Sequence, residues 1–314
     1  MLPSLEHNGS AAIRVEGLTK RFGSRTAVDH LSIEVPRGVI AGFVGPNGAG
    51  KTTTLRILLG LVRPTSGSGT VLGRSIDDPA SYLGRVGGLV EGPAFYPALT
   101  GRRNLEVLAT LGGHDAAEIG ALLRHVGLES RGDDPYRSYS HGMKQRLGIA
   151  GALLGDAELL LLDEPTDGLD PAGIREMREF IGGLSHSDRT IFVSSHLLTE
   201  VEQVCDWLVM IDEGRLVYQG ATADLLTTAV TGLIVRPRDP GDLEALRTLL
   251  ASDGYSVSPD DRRLTVVVHD ADPIELAAHI NRLAMHKGIV LIELCHVRAG
   301  LEDQYLSMVG GNDG

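Results

Sequence analysis

Cysteine is scarce: the 314 residues contain two, Cys205 and Cys295, widely separated and set among apolar neighbours. That excludes a disulfide framework and a cysteine-ligated metal, and both thiols read as small buried hydrophobes in a reducing compartment. Long apolar stretches are missing too. Leu159–Leu162 is a strand-sized run behind Glu158, and nothing approaches the roughly 18–20 apolar residues that cross a bilayer. The opening residues, MLPSLEHNGS, lack the charged-then-apolar pattern of a secretion signal. The expectation is a cytoplasmic protein that meets the membrane only through a partner. Basic residues are outnumbered, 29 against 41 acidic ones, for a net charge of −12 at pH 7. A sequence-independent grip on nucleic acid needs a basic face, so no nucleic-acid partner is expected. With 42% hydrophobic and 22% charged residues, the chain has ample material for sizeable cores, and its length suggests roughly two domains.

Strand-like runs come first: AIRVEGL (12–18), LSIEV (31–35) and VIAGFVG (39–45), with PRG at 36–38 turning between the last two. The third run passes directly into a glycine-rich loop and a helical run, KTTTLRILLGLV. From about 98 to 155 the pattern is helical (NLEVLATLGG, EIGALLRHVGL, MKQRLGIAGALLG). Strands and helices then alternate through ELLLLDEP, PAGIREMREFIGGL, TIFVSSH, LLTEVEQVC, WLVMID and RLVYQG. Such alternation predicts an α/β unit with a mainly parallel sheet, and the helical block that interrupts it predicts a subdomain. A boundary near 222–231 separates 1–222 from 223–314. Beyond it, LIVRP, DLEALRTLL, YSVS, LTVVVH, PIELAAHINRLA and IVLIEL read as strand, helix, strand, strand, helix, strand. That is the split β-α-β order of a small α+β, ferredoxin-like domain, with Leu276, Ile280, Leu283 and Ala284 sharing one helix face. Its histidines, His269, His279, His286 and His296, show no metal-ligand spacing.

GPNGAGKT at 45–52 fits G-x-x-x-x-G-K-[ST] and lies between a strand and a helix, the context that the motif requires. Gly45, Gly48 and Gly50 let backbone N–H groups of the loop, with Pro46, Asn47 and Ala49 between them, wrap phosphate oxygens at a helix N-terminus. Lys51 reaches the β- and γ-phosphates, and the Thr52 hydroxyl, followed by Thr53, is placed for Mg²⁺. About a hundred residues on, LLLLDEP ends a buried strand in two acids at the edge where α/β sheets bind ligands. Asp163 is expected to hold Mg²⁺ through water, and Glu164 to act as general base on the attacking water. Ser140 and Gly142 open a second helix and a second anion site. The helical block separates it from the first. A two-fold dimer solves the geometry: each chain's Ser140 helix covers the nucleotide held by the other's Lys51.

Together GPNGAGKTT, SHGMKQR, LLLLDEPTDGLDP and VSSH resemble the ATP-binding cassette of ABC transporters over residues ~12–220. The resemblance implies a P-loop ATPase cassette, a mainly parallel sheet with a small antiparallel β part and a helical subdomain. It implies ATP and Mg²⁺ as ligands, a second cassette subunit (identical or a close paralogue) and separate transmembrane permease subunits at the cytoplasmic face of the cell membrane. By the same resemblance Phe22 stacks on adenine, Asp170 lies in the loop that communicates across the dimer, and His196 contacts the γ-phosphate. Three residues depart from the pattern. His141 stands where the signature carries glycine, Tyr139 where it carries leucine, and Glu91 where cassettes carry glutamine. Read alone, Glu91 is a solvated loop acid. Placed in the cassette, it becomes a direct or water-mediated Mg²⁺ ligand once the helical subdomain turns inward. Phe95 and Tyr96 beside it offer an aromatic surface either to a permease helix or to the helical subdomain. GLVEGPAFYPALTGRRNL looks like the variant loop of the bacitracin and lantibiotic self-protection branch, and the ending AGLEDQYLSMV is similar to tails of antibiotic-exporter cassettes. The reading is therefore the ATPase subunit of an exporter of an antibiotic, drug or peptide. The alternative is a soluble cassette ATPase acting on ribosomes or DNA. Against it stand the acidic balance and the absence of a second cassette or a long coiled coil.

Overall fold

A computed structural model describes residues 11–184, 189–227, 231–260, 262–268, 273–298 and 301–310; the MLPSLEHNGS opening and His269 lie outside them. The chain divides into two compact units, 1–222 and 223–314.

In the first unit, β1 (Ile13–Phe22) and β2 (Arg25–Val35) form an antiparallel hairpin with Phe22 opposite Arg25. Both strands outrun AIRVEGL and LSIEV. Their pairing slips between Val15 and Leu18 and twice more by Arg21, and such bulges break the period-two pattern by which a strand is read. There follow β3 (Ile40–Val44), α1 (Lys51–Leu58), β4 (Ser66–Val71), β5 (Arg74–Ser75) and β6 (Val86–Leu89). The helical subdomain supplies α2 (Gly101–Gly112), α3 (Ile119–His125) and α4 (His141–Ala152). Then come β7 (Leu159–Asp163), α5 (Pro171–Gly183), β8 (Thr190–Ser195), α6 (Leu198–Val201), β9 (Trp207–Asp212) and β10 (Arg215–Ala221), with α7 (Thr222–Thr227) at the division. One sheet is antiparallel, in the order β2-β1-β4-β5; the other runs β10-β9-β3-β8-β7-β6 and is parallel except for β10.

Between them lies the core. Ile13, Leu31 and Ile33 of the antiparallel sheet share it with Phe43, Leu159, Leu161 and Phe192 of the parallel one and with Leu55 and Leu58 of α1. The Phe43 and Phe192 rings stack at 4.9 Å across adjacent strands. β3, β7 and β8 are buried along their whole length, as strands covered on both faces must be. The glycine-rich strand β6, VGGL, does not look like a strand in sequence. Here a Cβ at Gly87 would collide with the Ala152 carbonyl at the end of α4, and one at Gly88 would crowd Leu59. Helices press directly on its backbone, so glycine replaces the β-branched residues that usually mark a strand.

The second unit contains β11 (Thr231–Pro237), α8 (Leu243–Ser252), β12 (Val257–Asp260), β13 (Arg263–Val268), α9 (Pro273–His286), β14 (Leu291–Arg298) and α10 (Leu301–Gly310). Its sheet is antiparallel in the order β12-β13-β11-β14, the arrangement of a split β-α-β fold. Leu233, Val235, Leu246, Leu250, Leu276, Ile280 and Ala284 form its core. Cys205 is buried, and burial pushes its thiol pKa up. Cys295 is exposed, which corrects the expectation of two buried thiols. It pairs with Ile234, one step out of phase with the core pair Val235–Leu294, so alternation turns it to the other face. Among the described residues no helix is long and apolar enough to cross a membrane.

Candidate active site

β3, β8, β7 and β6 are neighbours that end on one edge: Val44 pairs with Ser195, Asp163 with Ser194, and Leu89 with Leu162. Each delivers one candidate residue there: the loop at Gly45, then His196, Glu164 and Glu91. This is the carboxyl edge at which open α/β sheets bind ligands.

The loop 45–50 is shaped by contacts only glycine permits. Gly48 and Gly50 have φ of +88° and +104°, and a Cβ at Gly50 would strike the Ala27 carbonyl. The turn at Gly214 braces the loop: its N–H donates to Ala49 O (3.0 Å), and its carbonyl accepts from Asp29 N (2.9 Å). The Asp29 carboxylate, facing His30 Nδ1 at 2.7 Å and accepting from Arg215 Nε at 2.8 Å, is held below the usual carboxylate range, first by His30 and then by Arg215. Lys51 is only 5% exposed. Its ammonium donates to Gly45 O (2.6 Å) and Pro46 O (3.2 Å) and lies 3.2 Å from Glu164 Oε1.

Asp163, also buried, accepts the Ser194 hydroxyl at 2.7 Å, and the same hydroxyl oxygen accepts from Glu164 N at 2.9 Å. Glu164 sits at φ +46°. Its Oε2 accepts from His196 N at 3.3 Å and lies 2.9 Å from His196 Nδ1. One carboxylate oxygen thus faces an ammonium and the other a histidine. A cleft of about 370 Å³ opens over Lys51 and Glu164, lined also by Phe22, Asn47, Thr52 and Thr53, among others. Phe22 is 49% exposed, with the Lys20 ammonium 4.9 Å from its ring centre. Arg25, Ala27 and Ser194 went unread in the sequence. Arg25 lines the cleft because it is cross-strand from Phe22, a pairing hidden by the slipped register. Ser194 orders both acids, and only its place in VSSH beside His196 hinted at it.

Asp163 and His196 stand beside Glu164 without lining this cleft, and Ser140, Gly142, Asp170 and Glu91 do not line it either. Ser140 caps α4 by accepting from Met143 N (3.3 Å), and Asp170 caps α5 by accepting from Gly173 N (2.8 Å). Gly142 lies against Leu169. Glu91, at φ +60° and with its side chain 65% exposed, is paired with Arg56 of α1. Tyr139 is buried and donates to Arg131 O at 2.8 Å, while His141 Nε2 lies 2.9 Å from Asp167 O. The aromatic pair divides: Phe95 packs edge-on to Tyr136 at 5.3 Å in the helical subdomain, and Tyr96 is 61% exposed. Among the described residues no group of three His, Cys, Asp or Glu side chains is arranged to hold a metal ion.

Residues 28–167 match the profile of the ABC transporter family. The chain is 38% identical over 305 residues to the bacitracin transport ATP-binding protein BcrA of Bacillus licheniformis, covering 96% of this chain and 98% of that one. It is 41% identical over 207 residues to the lantibiotic transport ATP-binding protein SrtF of Streptococcus pyogenes, covering 66% of this chain and 90% of that protein. A solved ATP-binding subunit of an ABC transporter superposes with a TM-score of 0.61 at 30% identity, over 69% of this chain and 92% of that one.

Proposed function

The chain belongs to the ABC transporter family as an ATP-binding, ATP-hydrolysing subunit, and from that premise we propose that it powers export of an antibiotic, drug or peptide through separate permease chains at the cytoplasmic face of the membrane. The full-length match to a bacitracin transport subunit supports this cargo class. Glu164 at the cleft, with Lys51 on one carboxylate oxygen and His196 on the other, is the observation that carries the catalytic part.

In this reading the adenine stacks on Phe22, and the phosphates lie along the 45–50 loop at the N-terminus of α1. Lys51 leaves the Gly45 and Pro46 carbonyls for the β- and γ-phosphates. Glu164 takes the proton of the attacking water, and His196 holds the carboxylate in place and meets the γ-phosphate. The oxygen donors at the site suit a hard cation. The Thr52 hydroxyl and the Asp163 carboxylate, the latter fixed by Ser194, are the residues we assign to Mg²⁺. When bound, the ion neutralises phosphate charge. Glu91 joins them only after leaving Arg56. Ser140 and Gly142, which lie outside the lining of this cleft, serve the nucleotide of a second cassette, with Asp170 on the same face in this reading. A groove of about 350 Å³ between β6 and α4, lined by Leu89, Pro93, Phe95, Leu108 and Gly148, with exposed Tyr96 nearby, is offered to the permease.

Glu164→Gln tests the assignment of the base. The amide cannot accept the water's proton, so kcat should fall by roughly 10²–10⁴-fold while ATP binding survives. Wild-type turnover in this variant would remove Glu164 from that role.

A further inference from the structure

Helices α4 and α5 are joined along their flanks by Arg146, which contacts Glu176 at 3.1 Å and stacks 5.6 Å over the Phe180 ring. One more tie closes the N-terminal end of α4. His141 Nε2 lies 2.9 Å from the carbonyl oxygen of Asp167, in the loop that leads from Glu164 to Asp170. A carbonyl only accepts, so this nitrogen carries hydrogen and the imidazole donates. The loop is moulded to the ring. Gly168 has φ +72°, a Cβ added there would come within 3.3 Å of His141 Nε2, and Leu169 rests against Gly142. The glycine that the signature pattern carries at position 141 has no side chain with which to make this contact.

We infer that His141 is a positioning residue for ATP hydrolysis. It fixes the 165–170 loop to the helix start that bears Ser140, so the surface offered to a partner's nucleotide and the segment after the chain's own Glu164 move as one piece. The inference rests on the two-chain site proposed above. A hydrogen bond of this kind is modest in itself; its effect lies in the relative placement of two elements that serve different nucleotides.

The test uses the full-length chain and two readouts: ATP-driven dimerisation in a Glu164→Gln background, followed by sedimentation, and steady-state kcat and KM with Glu164 intact. His141→Ala should weaken the ATP-driven dimer and lower kcat, each by roughly 3- to 10-fold, the range that the loss of one such bond allows. KM should not move. His141→Gln, whose amide N–H can reach the same carbonyl, should restore both to within about twofold. If the Glu164→Gln parent forms no ATP-driven dimer, the two-chain site falls and this inference with it. If the parent dimerises and His141→Ala matches it in both readouts, or His141→Gln is as impaired as His141→Ala, the histidine tie alone is overturned.

Discussion

Lys51 and Glu91 are two charged side chains, and their surroundings differ sharply. The Lys51 ammonium is almost fully buried and satisfied by Gly45 O, Pro46 O and the Glu164 carboxylate, as a buried charge has to be. Incoming phosphate oxygens can replace those carbonyls with charge-assisted contacts. Glu91 pairs with Arg56 where both side chains are substantially open to water, 65% and 31% exposed. A pair so exposed contributes about 0.2–1 kcal/mol. Unit charges ~6 Å apart at an effective dielectric near 20 exchange roughly 3 kcal/mol. A doubly charged cation within reach therefore outweighs Arg56, while the like charge of the γ-phosphate opposes the move from farther away. Glu91→Ala should accordingly depress Mg²⁺-dependent turnover much more than Mg²⁺-free nucleotide binding. Glu91→Gln should keep activity with a shifted metal requirement. Unaltered Mg²⁺ dependence in Glu91→Ala, assayed with the permease present, would leave the carboxylate as a partner of Arg56 and nothing more.

At the scale of the element, the residues of the P-loop, the DEP strand end and the helix start at Ser140 could be read from sequence, because each motif states its own local geometry; the capping of α5 by Asp170 could not. β6 could not. The two glycines at the centre of its VGGL carry no side chains to betray a strand, since the end of α4 and Leu59, just past α1, occupy the space on its two sides. Gly87→Ala should therefore destabilise the first unit by roughly 1–3 kcal/mol through overpacking. Gly183→Ala, at the end of α5 where an added Cβ would meet nothing within 4 Å, should stabilise by up to about 1 kcal/mol, since alanine favours the helix. Urea unfolding of the two variants checks the contrast; equal and small shifts would mean that β6 tolerates a side chain after all. The β1–β2 hairpin illustrates another limit of sequence. Arg25 enters the cleft by cross-strand pairing, and pairing across a slipped register is a non-local fact.

Over the whole molecule, four motifs spaced through the first unit identified the family, because their order and strand–loop–helix contexts must all agree. The mutual placement of Glu164, His196 and Ser194 could not be read in this way. It depends on the neighbour relation of β7 and β8, whose sequences are separated by a helix. A single chain also leaves half of the proposed chemistry unpaired: Lys51 and Glu164 are at the cleft, and Ser140 is elsewhere on the same chain. The measurement that bears most directly on this is complementation. Chains with Ser140→Arg and chains with Lys51→Ala should each be inactive, the first still binding ATP. In an equal mixture, half of the dimers hold one intact pair of half-sites, so activity should return to about a quarter of wild type if sites act independently. A mixture no more active than its parents would contradict an ATP site built from two chains.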